Sequence, residues 1–188
     1  MSSPVSLHEI LAGRWSPRAY SSRAVEPAKL TAIFEAARSA SSCFNEQPWR
    51  FITATQDDPA GFARVLDLLV APNQAWAKDA WLIGFTAGKQ TFTQNGKPNR
   101  YGMYDVGAAG ASLAIEATAL GLQAHFMGGF DQARARTEFG VPEDFEIGAA
   151  FTVGYVADGV TPPETRQRKP LGEIVFGTGW GSGAGFSA

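Results

Sequence analysis

Residues 101–131, YGMYDVGAAGASLAIEATALGLQAHFMGGFD, carry the reading on which the fold turns. From Tyr101 to Leu122 the chain reads as one long helix, and Gly107, Gly110, Ala111, Ala114 and Ala117 leave one side of it nearly bare of side chains. Small residues at i, i+3, i+4 and i+7 let a second helix approach closely, while each glycine costs a helix up to about 1 kcal/mol against alanine, so close packing has to offset them. Two partners answer equally: another helix of the same chain, or a helix of a second copy across a two-fold axis. QAHFMGGFD then reads as strand and turn. The Gly128-Gly129 pair lets backbone approach a flat ring and aim N–H groups at it, although a glycine pair alone is only a turn.

Outward from this stretch, Ser6 and Glu9 have the spacing of a capping box before a short helix that delivers the chain to Arg14. Pro27 suits the first position of an amphipathic helix carrying Leu30, Ile33, Phe34 and Ala37, ending near Ser39. WRFITATQ is a strand by its β-branched and aromatic content, and Asp58-Pro59 opens a further helix. DAWLIGFTAG is a buried strand, KQTFTQNGKPNR a mobile connection able to act as a lid, and EIGAAFTVGYVA another apolar strand. Asp131 caps QARARTEF, which Gly140 can terminate. Helices and strands do not alternate as a doubly wound sheet requires, so the expected class is α+β, with one domain over residues 1–176 and a loose glycine-rich tail over 177–188.

The composition limits the setting. With 45% hydrophobic and 18% charged residues, the 188-residue chain has the balance of a globular domain. A net charge of -2 provides no global basic field for nucleic acid or an anionic membrane, so any anion site is local. One cysteine excludes an internal disulfide and a zinc site of paired cysteines, which suits a cytoplasmic protein. The N-terminus lacks a signal-peptide pattern and no apolar run is long enough to span a membrane. With only His8 and His125, no metal site is expected.

Polar chemistry concentrates in segments far apart in sequence: RWSPR with Arg14, Ser16 and Arg18, the loop SSCFNEQPW at 41–49, and RQR with Arg166 and Arg168. In an extended segment, i, i+2 and i+4 side chains point one way, so the first cluster presents two guanidinium forks and a hydroxyl suited to phosphate; an ordinary solvated basic surface is the alternative, and proximity of the clusters would decide. Neither GxGxxG after a strand nor GxxxxGK[ST] occurs. Cys43 has no basic sequence neighbour to activate a thiolate and reads as a small buried packing residue.

Four motifs in order, RWSPRAY, SASSCFNEQPWRF, GAAGASLAIEATALGLQAHFMGGFD and RQRKPLGEIV, resemble the FMN-dependent nitroreductase family over nearly the whole chain. The resemblance implies a mainly antiparallel sheet flanked by helices, in an intertwined homodimer with FMN at the subunit interface and a C-terminal extension, here including LGEIVF, that embraces the partner. It implies that Arg14, Ser16, Arg166 and Arg168 meet the flavin phosphate and ribityl chain, with Trp15 contributing backbone. Arg18 matches the position that reaches the pyrimidine edge, where a cation stabilises negative charge at N1 and O2. Ser41, Ser42, Cys43 and Asn45 match a loop that lines the flavin of the other subunit, although Ser41 stands where a proline is common. Gln47, Pro48 and Trp49 are expected to fix the turn and pack the next strand. Asn73 matches a ribityl or pyrimidine contact, and Trp76 stands where a second, basic contact is usual. Phe126, Met127, Gly128 and Gly129 match the segment against the isoalloxazine, with glycine at 128 in place of a common acidic residue. Phe92, Tyr101 and Tyr104 are candidates to cover the ring and select the substrate.

The implied activity is a ping-pong transfer from NADH or NADPH, through flavin N5, to a nitroaromatic, a quinone or a related small acceptor, the cofactor carrying the chemistry without a catalytic acid or base. A flavin-binding protein without turnover and a cofactor-free dimeric interaction module are the alternatives.

Overall fold

A computed structural model describes residues 6–163 and 166–185. Four strands, β1 (Trp49–Thr55), β2 (Leu82–Lys89), β3 (Gln123–Met127) and β4 (Phe145–Gly154), form one sheet in the order β1-β2-β4-β3, every neighbour antiparallel. Among the described residues six α-helices surround it: α1 (Glu9–Gly13), α2 (Pro27–Arg38), α3 (Pro59–Asp67), α4 (Ala71–Ala77), α5 (Gly102–Ala119) and α6 (Gln132–Phe139). The α+β class expected from the sequence is the one observed.

The central strand β2 explains the layering. Its run LIGFTAG is buried at every position because both sheet faces are covered, Leu82 facing a cluster with Ile33, Ala37, Leu113 and Phe151, and Ile83 and Phe85 facing one with Phe62, Val65 and Met127. Gly84 must be glycine, since a Cβ there would collide with the carbonyl of Ile52 on β1. A register shift between Phe85 and Ala87 puts Thr86 at a bulge, where its hydroxyl accepts from Ala149 N at 3.0 Å and donates to Ala149 O at 3.2 Å.

Local signals set the helix ends. Asp58 accepts from Gly61 N at 3.0 Å and Asp131 from Arg134 N at 2.9 Å, while Gly140 closes α6 with a left-handed φ of 62°. The first helix departs from expectation: it begins at Glu9, too late for Ser6 to cap it, and His8 takes the cap through Nδ1 at 3.4 Å from Ile10 N. The stretch after Asp58 breaks after Asp67, and α4 follows as a separate helix with Pro72 in its first turn. The 90–100 connection is a pinned hairpin-like turn rather than an unstructured one: Thr91 bridges Pro98, Phe92 N donates to Lys97 O at 2.9 Å, and Asn99 is buried. The expected loose tail also has local order, with Phe176 bridging Gly183 and its ring 5.0 Å from that of Trp180.

Helix α5 packs on α2 and across the sheet, and Gly110, Ala114 and Ala117 of its small-residue side are buried within the chain. An intrachain partner therefore accounts for part of that side. Gly107 and Ala111, at its margin, remain exposed.

Candidate functional site

Strand β3 gathers the first motif. Trp15 N donates to Gln123 Oε1 at 3.1 Å, Gln123 Nε2 donates to Gly13 O at 3.2 Å, and the His125 Nδ1–H donates to Pro17 O at 2.7 Å. Burial, outweighing this hydrogen bond, and the nearby Arg18 charge hold the His125 pKa below its usual value, which favours the neutral ring. With Pro17 buried beneath the segment, Ser16 and Arg18 stand exposed, as an extended backbone requires.

Arg166 returns to this segment from more than a hundred residues away. Its Nη2 donates to Ala12 O at 2.6 Å and its Nη1 to Arg14 O. The Arg14 pKa is pushed below the usual arginine value by burial first, then by the charges of Arg166 and Arg168. Among the described residues the ion pairs are Arg23–Glu26, Arg38–Glu35 and Arg134 with Asp67 and Glu138, and none of these carboxylates pairs with Arg14, Arg166 or Arg168. Arg14 and Arg166 are part-buried and adjacent, with the exposed Arg168 near enough to act on Arg14, an arrangement that suits an anion better than scattered surface charges do.

At the other end of β3, Asn73 Nδ2 donates to Gly129 O at 3.1 Å. A Cβ on Gly129 would lie 2.7 Å from that nitrogen, whereas one on Gly128 would meet nothing within 4 Å. Gly128 therefore presents open backbone. The Met127 side chain is buried in the core, so this residue can offer a ligand only its main chain. Phe126 stacks on Phe151 with centroids 5.3 Å apart, and its ring edge would stand 3.3 Å from a Cβ on Gly110. Trp76 stacks on His125 at 4.5 Å and does not replace the cation usual at its place.

A cavity of about 540 Å³ runs between α5, Phe126 and the bulge at Thr86, with Gly107, Gly110 and Ala114 on its helical wall. Of the residues expected to hold a cofactor, it takes in only Arg14 and Phe126.

The loop at 41–47 lies elsewhere. Its Cys43 N–H donates to Asp105 Oδ2 at 3.0 Å, at the start of α5, whereas a Cβ on Gly13 would sit 3.7 Å from Thr118 Cγ2, near the helix end. Thirteen residues separate Asp105 and Thr118, about 20 Å of helix. One chain thus unites Arg14, Trp15, Ser16, Arg18, Asn73, residues 126–129, Arg166 and Arg168 around β3, and keeps Ser41, Ser42, Cys43 and Asn45 apart from the arginine cluster. Cys43 is partly exposed rather than buried, with its backbone N–H bonded to Asp105. Pro48 and Trp49 are buried as expected, and Gln47 makes the turn with φ 51°. Phe92 meets Phe44 edge-on at 5.8 Å, and Tyr101 and Tyr104 are exposed beside the same loop. Sequence reading missed the positioning roles of Gln123, His125 and Asp105. Only His125 could have been suspected, as a ligand, because the partners of all three lie far along the chain.

The architecture is that of a one-sheet α+β protein with a basic cluster at one sheet edge and a cavity against an open helix face. The chain matches the profile of the Nitroreductase family over residues 11–80 and 60–155. It is 31% identical to an oxidoreductase containing FMN, with a TM-score of 0.87 over 97% of this chain and 96% of the other. A nitroreductase family protein from Clostridium difficile 630 is 26% identical, with a TM-score of 0.75 over 93% of this chain and 99% of the other. A curated Mycolicibacterium smegmatis protein, called an uncharacterized 15.4 kDa protein in the ask 5′ region, is 38% identical over 91 residues, 44% of this chain and 61% of that protein. The chain belongs to the Nitroreductase family.

Proposed function

We propose that the protein is an FMN-dependent oxidoreductase that takes hydride from NADH or NADPH and passes electrons to a nitroaromatic, quinone or related small acceptor, working as a homodimer. The observation that carries this reading is the junction of Arg14 and Arg166, without a paired carboxylate among the described residues, beside a cavity that Arg14 shares with Phe126. These residues fit the group: the guanidinium donors suit a phosphate, and a site without a Cβ suits a flat ring. Its presence in a relative covering 96% of its own length supports the assignment.

When bound, FMN supplies reversible two-electron chemistry at its ring. Arg14, Arg166, Arg168 and Ser16 hold the phosphate end. Arg18 offers an exposed cation, free of ion pairing among the described residues, to stabilise negative charge at the pyrimidine edge. Asn73, tied to Gly129, keeps the end of β3 in place so that main-chain groups of residues 127–129 face the ring. The loop carrying Ser41, Ser42, Cys43 and Asn45 serves the site of the other copy, consistent with its separation from the arginines of its own chain. Phe92, Tyr101 and Tyr104 shape acceptor choice from that loop's side.

The test is the absorbance spectrum of protein passed through gel filtration with FMN, followed by anaerobic NADH or NADPH. Retained flavin bands that bleach on a catalytic timescale are expected, and the faster donor is the preferred one. Retained colour without bleaching would support flavin binding without turnover. Failure to retain flavin would overturn the reading.

A further inference from the structure

Asp105 is a carboxylate with 3% exposure that the mechanism above does not use. Its Oδ2 accepts the Cys43 N–H at 3.0 Å across 62 residues of sequence. The segment it holds is costly: Phe44, Asn45 and Gln47 have φ of 53°, 56° and 51°, and none is glycine. Left-handed non-glycine residues persist only where surrounding contacts over-determine them. The remaining ties are local or peripheral: Gln47 N donates to Ser42 Oγ at 3.0 Å within the loop, and Glu46 accepts from Thr93 N at 2.9 Å near its far end. Asp105 is thus the buried anchor linking the loop to a regular element.

We propose that Asp105 is a positioning residue, which through the Cys43 N–H fixes the 41–47 loop in the left-handed form that meets the flavin of the other subunit. The inference rests on the function proposed above. Its location explains the economy of the arrangement. Asp105 sits two residues before Gly107 on α5, so one rigid helix carries both the loop's anchor and the open face on which a second copy would pack, and loop position and subunit packing share one reference.

Asp105→Ala removes the acceptor, Asp105→Asn keeps one, and Cys43→Pro removes the donor from the opposite side. Proline is tolerated there because Ser42 is extended, with φ -146° and ψ 156°, and Cys43 opens a short 3-10 helix. FMN affinity is measured by flavin fluorescence titration, with NADH and menadione for steady-state turnover and thermal melting of the apoprotein as the fold control. Wild-type binding of FMN is the prerequisite, and its failure would sink the proposed function rather than this inference. Given that binding, Asp105→Ala should weaken FMN about tenfold or more, the loss expected for a charge-assisted hydrogen bond. Asp105→Asn should recover most of that loss, Cys43→Pro should match Asp105→Ala, and the double variant should be no worse than either single one. Equal FMN affinity and turnover in wild type and Asp105→Ala, or additive effects of the alanine and proline changes, would overturn the proposal. Should Asp105→Ala fail to fold, Cys43→Pro against Asp105→Asn decides it: loss in the first with retention in the second supports the anchor, and equal affinities refute it.

Discussion

Replacing Gly107 with leucine separates the chain's own stability from its assembly. A Cβ at 107 would meet nothing within 4 Å, and the position borders the cavity of about 540 Å³, so the single chain has room for the side chain. Removing glycine from the interior of α5 should itself stabilise the helix by about 0.5–1 kcal/mol, a rise of about 1–4 °C in melting temperature for a chain of this size. A second copy packed on this face reverses the sign. Overpacking costs about 1–3 kcal/mol per added side chain, and two-fold symmetry applies it twice, so about 2–6 kcal/mol is lost from association and the dimer dissociation constant rises about 30-fold to 10⁴-fold. Sedimentation across a concentration series reads association, and thermal melting at a concentration where the variant is monomeric reads the fold. The expected outcome is a weakened dimer that no longer retains FMN, with a folded monomer. A variant that keeps the wild-type association constant and melts a few degrees higher would show that Gly107 faces no partner.

Arg166→Ala removes the donors to Ala12 O and Arg14 O but also relieves Arg14 of a like charge, so unfolding free energy should move by no more than about 1 kcal/mol while FMN binding weakens about 10- to 100-fold; parallel chemical denaturation and flavin titration separate the two. The depressed His125 pKa means that the unfolded chain binds a proton that the folded chain does not between the folded value and about 6.5, so stability rises with pH through that window and is lost as pH falls through it. His125→Gln should abolish that part of the pH dependence, measured as the difference in urea unfolding between pH 7.5 and pH 5.5. Gly128→Ala should leave stability within about 0.5 kcal/mol, whereas Gly129→Ala should cost about 1–3 kcal/mol by displacing Asn73 and Val70, again by urea unfolding.

The legibility of the chain follows the range of the forces involved. Asp58, Asp131 and Gly140 act within four residues of their own positions, and each helix end they mark is where the sequence places it. The apolar run of β2 reads directly as burial on both faces, since no polar alternation interrupts it. Ser6 misleads because a capping box is only a spacing: whether it closes depends on where the helix begins, and here His8 competes successfully. KQTFTQNGKPNR misleads in the opposite direction, because turn residues signal irregularity without saying whether the turn is pinned, and the carboxylate of Glu46 that receives Thr93 N lies 47 residues away. The same gap governs the site. Each basic cluster alone is indistinguishable from a solvated surface, and the hydrogen bonds from Arg166 to Arg14 O and Ala12 O make them one feature.

The small-residue helix shows how far a local signal can reach. Glycine and alanine at helical spacing demand close packing without naming the partner, and the fold divides the demand: Gly110, Ala114 and Ala117 are satisfied inside the chain, while Gly107 and Ala111 are not. Helix stability alone gives no reason to keep a glycine at an exposed interior position, where alanine is better by about 0.5–1 kcal/mol. A second copy against that face, as in the proposed homodimer, would supply the reason. It also accounts for the separation, by about 20 Å along α5, of the arginine cluster from the loop held by Asp105, because residues at opposite ends of a helix in one chain meet when two such helices pack antiparallel about a two-fold axis.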